Sequence, residues 1–249
     1  MGDKTICRFS SIKGNFNSSY IEGGTGIVTY GKACTHTVTA EEDENGLGRW
    51  NLVTFQGKKE RKVTIVSVYR PRNKQAAAEY QHQKTCVDRP GKVGIGQEAL
   101  WFEDLKKLIG RLKRNRNEVI ICGDFNSDLN DEEGEVNEFM QENGLRELLI
   151  ERYGRGPATH INGSTTIDGV YATEGIKIRQ GGYIDEETVP SDHKWLWIDI
   201  SEKDFLYANR DDCMPSITRR ATSKIPSVRN RFNQLLEEQV KKHKLLEKI

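Results

Sequence analysis

Glu118-Val119-Ile120-Ile121-Cys122-Gly123-Asp124-Phe125-Asn126-Ser127-Asp128 is the stretch on which the reading of this chain turns. Val119 to Cys122 form an unbroken apolar or near-apolar run, the pattern of a short strand buried on both faces. Gly123 ends the run, so that a tight turn can throw Asp124 and Asn126 outward. A carboxylate and a carboxamide at the C-terminal end of a buried strand stand where sheet enzymes keep their chemistry. Asp and Asn are also common turn residues, so this segment alone serves equally as a solvated turn and needs other polar sites beside it.

Working outward, the segment before it reads as an amphipathic helix over Gln97 to Arg114. Trp101, Leu105, Leu108 and Leu112 lie on one stripe, with Phe102 and Ile109 beside them. Its basic end, Lys106 to Arg116, suits a helix C-terminus. On the other side, Val136, Phe139 and Met140 mark a helix that stops at Gly144. Further upstream, Asn51 to Gln56 and Val63 to Tyr69 are β-branched and aromatic runs separated by a polar turn, the best hairpin in the chain. Pro71 cannot extend a ladder, so this second strand stops with the phenol of Tyr69 and the guanidinium groups of Arg70 and Arg72 close by. Ala76 to Gln83 favours helix, and a Gly-rich loop from Pro90 to Gly96 follows. The Gly23 to Gly26 cluster is no phosphate loop, because no Gly-Lys-Ser/Thr follows and no helix opens; it reads as a turn leading into a strand over Ile27 to Tyr30. Downstream, Thr159 and His160 sit in a polar loop, and His160 reads as a loop residue rather than a ligand. Strands are predicted over Thr166 to Ala172, with Asp168 embedded, over Ile176 to Ile178 and over Trp195 to Ile200.

Composition bounds the class. The 249 residues are enough for one large domain with a tail, and 35% hydrophobic with 30% charged residues fits a globular protein with a solvated surface. No apolar run approaches a membrane span and no signal-peptide pattern opens the chain, so an intracellular protein with no membrane partner is expected. The five cysteines are scattered without close pairs, which suggests neither a zinc knuckle nor a disulfide framework. From Arg219 onward nine Lys or Arg face three Glu, a local charge of +6 in a chain of net +1. Such a basic tail can hold a phosphate backbone or form a solvated helix face. Val228, Phe232, Leu235, Leu236 and Val240 mark a final helix there.

Five polar places thus stand at strand ends or inside strands: Tyr69, Asp124 with Asn126, Asp168, Asp192 and His193. An Asp inside an apolar strand is costly unless partnered, and an imidazole is a sensible partner for Asp168. A carboxylate on one ring nitrogen fixes the tautomer and raises the basicity of the other.

The motifs Ser67-Val68-Tyr69-Arg70-Pro71, Gly123-Asp124-Phe125-Asn126, Ile167-Asp168-Gly169-Val170 and Ser191-Asp192-His193, in this order, resemble those of the endonuclease/exonuclease/phosphatase superfamily. That resemblance covers Gly24 to Ile200. It implies an α+β, DNase I-like fold: two packed mixed β-sheets flanked by helices in a four-layer sandwich. It implies that Asp124 orients or deprotonates the attacking water, with Asn126 holding the phosphate or that Asp. Asp192 would help bind Mg²⁺ (or Mn²⁺), while His193, paired with Asp168, and Tyr69 would contact the scissile phosphoryl group. In-line attack on a phosphodiester needs an oriented water, a cation and hydrogen bonds that strengthen at the transition state.

The superfamily pattern opens with a strand ending in a catalytic Asn and another ending in Gln-Glu, whose Glu is its main metal ligand. Neither motif is found before Gly24, so the resemblance is to a member lacking its first strands, with weakened cation binding and impaired activity expected from the absence of that Glu. The expected organisation is a polar N-terminal loop over 1–20, the superfamily domain over 21–201 and a basic helical linker or tail over 202–249. The tail, and Thr159-His160 ahead of Ile167-Asp168, are similar to the endonuclease domains of non-LTR retroelements. That likeness implies DNA as the substrate, a reverse transcriptase region as partner in a longer protein and a nuclear location. The alternatives are an inactive nucleic-acid-binding remnant and a small-molecule or lipid phosphatase of the same fold.

Overall fold

A computed structural model of the chain describes residues 4–11, 24–71, 96–184, 191–207, 230 and 233–234. The predicted helix over Ala76 to Gln83, Asn15, Asn17 and nearly all of the Pro90 loop lie outside the described residues. The chain divides into two compact units, Met1–Asp212 and Cys213–Ile249. In the second, Asn230, Asn233 and Gln234 are helical, and the apolar positions of the final helix lie outside the described residues.

In the first unit the strands are β1 (Thr5–Ser10), β2 (Thr25–Tyr30), β3 (Thr37–Glu42), β4 (Trp50–Gln56), β5 (Lys62–Tyr69), β6 (Asn117–Asp124), β7 (Leu145–Glu147), β8 (Asp168–Thr173), β9 (Gln180–Ile184) and β10 (Trp195–Asp199). The helices are α1 (Gln97–Arg114), α2 (Glu135–Glu142), α3 (Leu148–Tyr153) and α4 (Glu202–Leu206), with a 3₁₀ segment at Gly31–His36. Among the described residues, no helix is long and apolar enough to cross a membrane.

Six strands form one mixed sheet in the order β3-β4-β5-β6-β8-β7. β6 lies inside it, parallel to β5 and antiparallel to β8. Alternation along β6 sends its side chains to two cores. Val119 and Ile121 join Trp101, Leu105 and Met140 under α1 and α2 on one face. Ile120 and Cys122 join Val170, Leu196 and Ile198 on the other, where β10 packs. The β1–β2 hairpin touches that second face as well, for Asn51 Nδ2 of β4 donates to the Arg8 carbonyl at 2.9 Å. Packed sheets flanked by helices are therefore the architecture, as the sequence predicts, with β1–β2 and β9–β10 as separate antiparallel hairpins in the second layer.

Two local readings are corrected. The sequence predicts a loop over 1–20, yet Thr5–Ser10 pairs with Thr25–Tyr30 along its whole length. Most of β1 is exposed, so no buried face imposes an apolar alternation that a sequence could display. Ile176 to Ile178, predicted as a strand, follows a turn closed by Ile176 N–H on the Thr173 carbonyl, and the strand is instead the Gly-rich Gln180–Ile184. Ile176 is fully buried all the same, so its apolar character reports the core and not a ladder.

Gly123 sets the end of β6. Its φ is +146°, and a Cβ there would lie 2.0 Å from the Val68 carbonyl oxygen on β5. Neither conformation nor space admits a side chain. Gly123→Ala is expected to lower stability by about 3 kcal/mol or more, read by urea denaturation. A change below about 1 kcal/mol would show that β5 and β6 can separate here at little cost.

Candidate active site

Strand register brings three of the predicted residues abreast. Tyr69 on β5 is the parallel partner of Asp124 on β6, and Asp124 is the antiparallel partner of Asp168 on β8. Two strands end and one begins at this edge, so phenol and both carboxylates share it.

The turn after β6 is pinned by its own groups. Asn126 has a left-handed φ of +48°, which Asn tolerates better than most residues. Its backbone N–H donates to Asp124 Oδ1 at 2.8 Å, and its Nδ2 donates to the Arg70 carbonyl at 2.7 Å. Arg70 N–H in turn donates to the Asp124 carbonyl at 2.9 Å, and Phe125 N–H to the Ile167 carbonyl at 2.9 Å. Phe125 is fully buried, edge-on to Tyr171 with ring centroids 5.1 Å apart. The core thus anchors the turn between two polar residues that face outward. The guanidinium of Arg70 is itself buried, bonded to Glu135 at 3.0 Å and lying over the Phe102 ring, so it serves the framework here.

His193 arrives from the segment before β10. Its Nδ1 lies 2.8 Å from Asp168 Oδ2, the pairing the sequence suggested for the embedded carboxylate. Burial alone would lower the pKa of this imidazole. The Asp168 hydrogen bond, with the charges of Asp168, Asp124 and Asp192, outweighs burial and holds it above the ordinary histidine value. With Nδ1 committed to Asp168, Nε2 is left to face a substrate.

Thr159, which in the sequence is only a marker of the retroelement likeness, joins the two halves of this pair. Its buried Oγ1 accepts the backbone N–H groups of Ile167 at 3.0 Å and Asp168 at 3.1 Å. Its carbonyl accepts Lys194 N–H at 2.8 Å, and Ile161 N–H donates to the Asp192 carbonyl at 2.8 Å, so residues 159–161 run antiparallel to 192–194. That bridge sets His160 against His193, with ring centroids 4.9 Å apart and planes at 84°. No pattern in a polar loop announces either role.

Asp192 is 71% exposed in its side chain, and its Oδ2 lies 3.7 Å from His160 Nε2. A hard divalent cation takes oxygen ligands and keeps much of its water, so the carboxylates of Asp192 and Asp124 are the donors here whose chemistry suits one.

This arrangement, a mixed sheet with carboxylates at a strand edge and a carboxylate-bound imidazole beside them, is that of a DNase I-like hydrolase. The sequence matches the endonuclease/exonuclease/phosphatase family over residues 21–193, and the chain belongs to that family. The family is generally divalent-metal-dependent. The fold is similar to that of the 3′ phosphatase NExo from Neisseria, solved with a product DNA hairpin, at a TM-score of 0.51 and 15% identity over 79% of each chain. The catalytic domain of Xenopus laevis APE2 aligns at 17% identity and a TM-score of 0.49, covering 79% of this chain and 77% of that one. A mannosyl-6-phosphatase from Bacteroides thetaiotaomicron aligns at 13% identity and a TM-score of 0.40, covering 80% and 66% respectively. No curated protein matches the sequence.

The raised pKa of His193 gives a pH dependence with a definite sign. A group whose folded pKa lies above its unfolded value of about 6.5 contributes stability that is fully present below that value and lost as pH rises through the folded one. With divalent cations removed, the stability difference between wild type and His193→Gln should therefore be larger at pH 6 than at pH 8. An NMR titration should place the His193 midpoint above about 6.5, and Asp168→Asn should bring it down. A midpoint unchanged by Asp168→Asn would remove the carboxylate as its cause.

Proposed function

We propose that this chain is a divalent-metal-dependent endonuclease that hydrolyses phosphodiester bonds in DNA, of the kind found in non-LTR retroelements. The observation that carries this reading is the Asp168–His193 hydrogen bond of 2.8 Å set beside Asp124, which is the cross-strand partner of Asp168. Asp124 orients a water and accepts its proton as the water oxygen bonds to phosphorus. The bond to the leaving sugar oxygen breaks in line, and that oxygen departs as the alkoxide and takes a proton from solvent water. His193, its Nδ1 held by Asp168, donates from Nε2 to a non-bridging phosphoryl oxygen, where charge develops. Tyr69 contacts the same group from the neighbouring strand, and Asn126 fixes the Asp124 carboxylate through its backbone N–H. A bound Mg²⁺ or Mn²⁺, with Asp192 as an oxygen donor, would supply charge neutralisation at the phosphate.

Support for DNA as the substrate comes from the DNA hairpin bound by the Neisseria phosphatase and from the basic run after Arg219. Support for the retroelement branch comes from Thr159-His160 ahead of Ile167-Asp168 and from the basic segment that follows. On this reading a reverse transcriptase region is the partner in a longer protein, and the nucleus is where it works.

Purified protein is expected to nick supercoiled plasmid with Mg²⁺ and not with EDTA. Asp124→Ala should abolish the nicking, and His193→Ala should slow it by about 10²-fold or more. Nicking that survives both substitutions would belong to a contaminant. Folded protein that binds DNA without nicking it would favour a nucleic-acid-binding remnant, and turnover of a phosphoinositide in place of DNA would favour a phosphatase.

A further inference from the structure

One ligand atom from each of His160, Asp192 and His193 lies within 4.8 Å of the others. Two imidazoles and a carboxylate suit a transition metal, but the hydrogen bonds on the far sides of the rings separate the two histidines. An imidazole that binds metal offers one nitrogen lone pair and donates an N–H from the other nitrogen. His193 meets this condition, with Nδ1 on Asp168. His160 does not. Its Nδ1 accepts the backbone N–H of Asn162 at 3.1 Å, so the lone pair is spent there and the ring proton sits on Nε2. That Nε2 lies 3.7 Å from Asp192 Oδ2, beyond hydrogen-bond reach, on a ring that stands nearly perpendicular to that of His193.

We propose that His160 is a phosphate-contacting residue, a fixed Nε2–H donor to a non-bridging oxygen of the bound phosphodiester, and not a metal ligand. This rests on the reading of the site as a phosphodiesterase. The backbone holds the donor in place before substrate arrives. Thr159, the preceding residue, is tied to β8 and to Lys194, Ile161 is tied to Asp192, and Gly163 N–H donates to the His160 carbonyl at 2.9 Å. The turn is tight enough that a Cβ on Gly163 would come 3.3 Å from the His160 Cβ. The His160 side chain is 26% exposed, and its ring packs against that of His193. A donor positioned in advance costs no reorganisation when the phosphoryl charge develops.

The test uses the full chain with ¹⁵N-labelled histidine in EDTA, followed by imidazole ¹⁵N spectra. His160 should show a protonated Nε2 and a bare, hydrogen-bonded Nδ1. Dimethyl phosphate and a short DNA duplex should each move the Nε2 resonance, and Zn²⁺ in metal-free buffer should not. A protonated Nδ1, coordination of Zn²⁺ by His160, or no response to either phosphate ester overturns the assignment. Response to dimethyl phosphate without response to DNA keeps the phosphate contact and sinks the DNA reading instead. In nicking assays, His160→Asn should lower kcat/KM by about tenfold or more, and His160→Gln, whose amide N–H reaches the Nε2 position, should recover part of that loss. Equal losses in both at unchanged Tm would also overturn it.

Discussion

Close approach of β5 and β6 at Gly123 is the constraint on which the site depends. Because no Cβ fits between Gly123 and the Val68 carbonyl, the two parallel strands can end level with one another. Tyr69 and Asp124 then occupy the same rung. β8 completes the row from the other side, so the carboxylate of Asp168 enters the edge already buried and needing a partner. Each polar group at the edge is a consequence of register, which a slip of one residue would turn to the opposite face.

Far from that edge, buried charge is confined to closed knots. Arg49 bonds Asp43 at 2.8 Å and Asp104 at 3.1 Å, tying the segment before β4 to α1. Arg61 bonds Glu118 at 3.0 Å and the Gly175 and Asp204 carbonyls, joining β5 to β6 and α4. Glu147 accepts Val170 N–H at 3.1 Å and the Ile150 N–H, and burial still pushes its carboxyl upward. Apart from the buried Nε of Arg61, which has no partner among the described residues, these groups are bonded to one another or to the backbone of the framework. The raised pKa of His193 differs in kind, since its partner holds only one ring nitrogen and leaves the other to the open edge.

Legibility in the sequence followed burial. α1 and the β4–β5 hairpin were readable because one-sided burial imposes a period, and the packed stripe from Trp101 to Leu112 is that period made visible. Asp124, Asp168 and His193 were readable because short motifs of fixed order surround them. β1 and β9 were not, since an exposed hairpin and a strand that opens Gln180-Gly181-Gly182 carry no apolar alternation. Thr159 was hidden for another reason: its role lies in three backbone partners, two reached through Oγ1 and one through its carbonyl, and backbone partners leave no mark in side-chain pattern.

The row Tyr69, Asp124, Asp168 joins chain positions that are distant in sequence, and β5 meets β6 only after a crossover whose flanking contact between Arg70 and Phe125 spans 55 residues. His193 adds a further closure of 25 residues onto Asp168. Loop entropy must be overcome before such contacts return anything. A chain opened locally at β6 loses both the Tyr69–Asp124 and the Asp124–Asp168 pairings at once. Competence of this site is therefore tied to completion of the sheet that carries it.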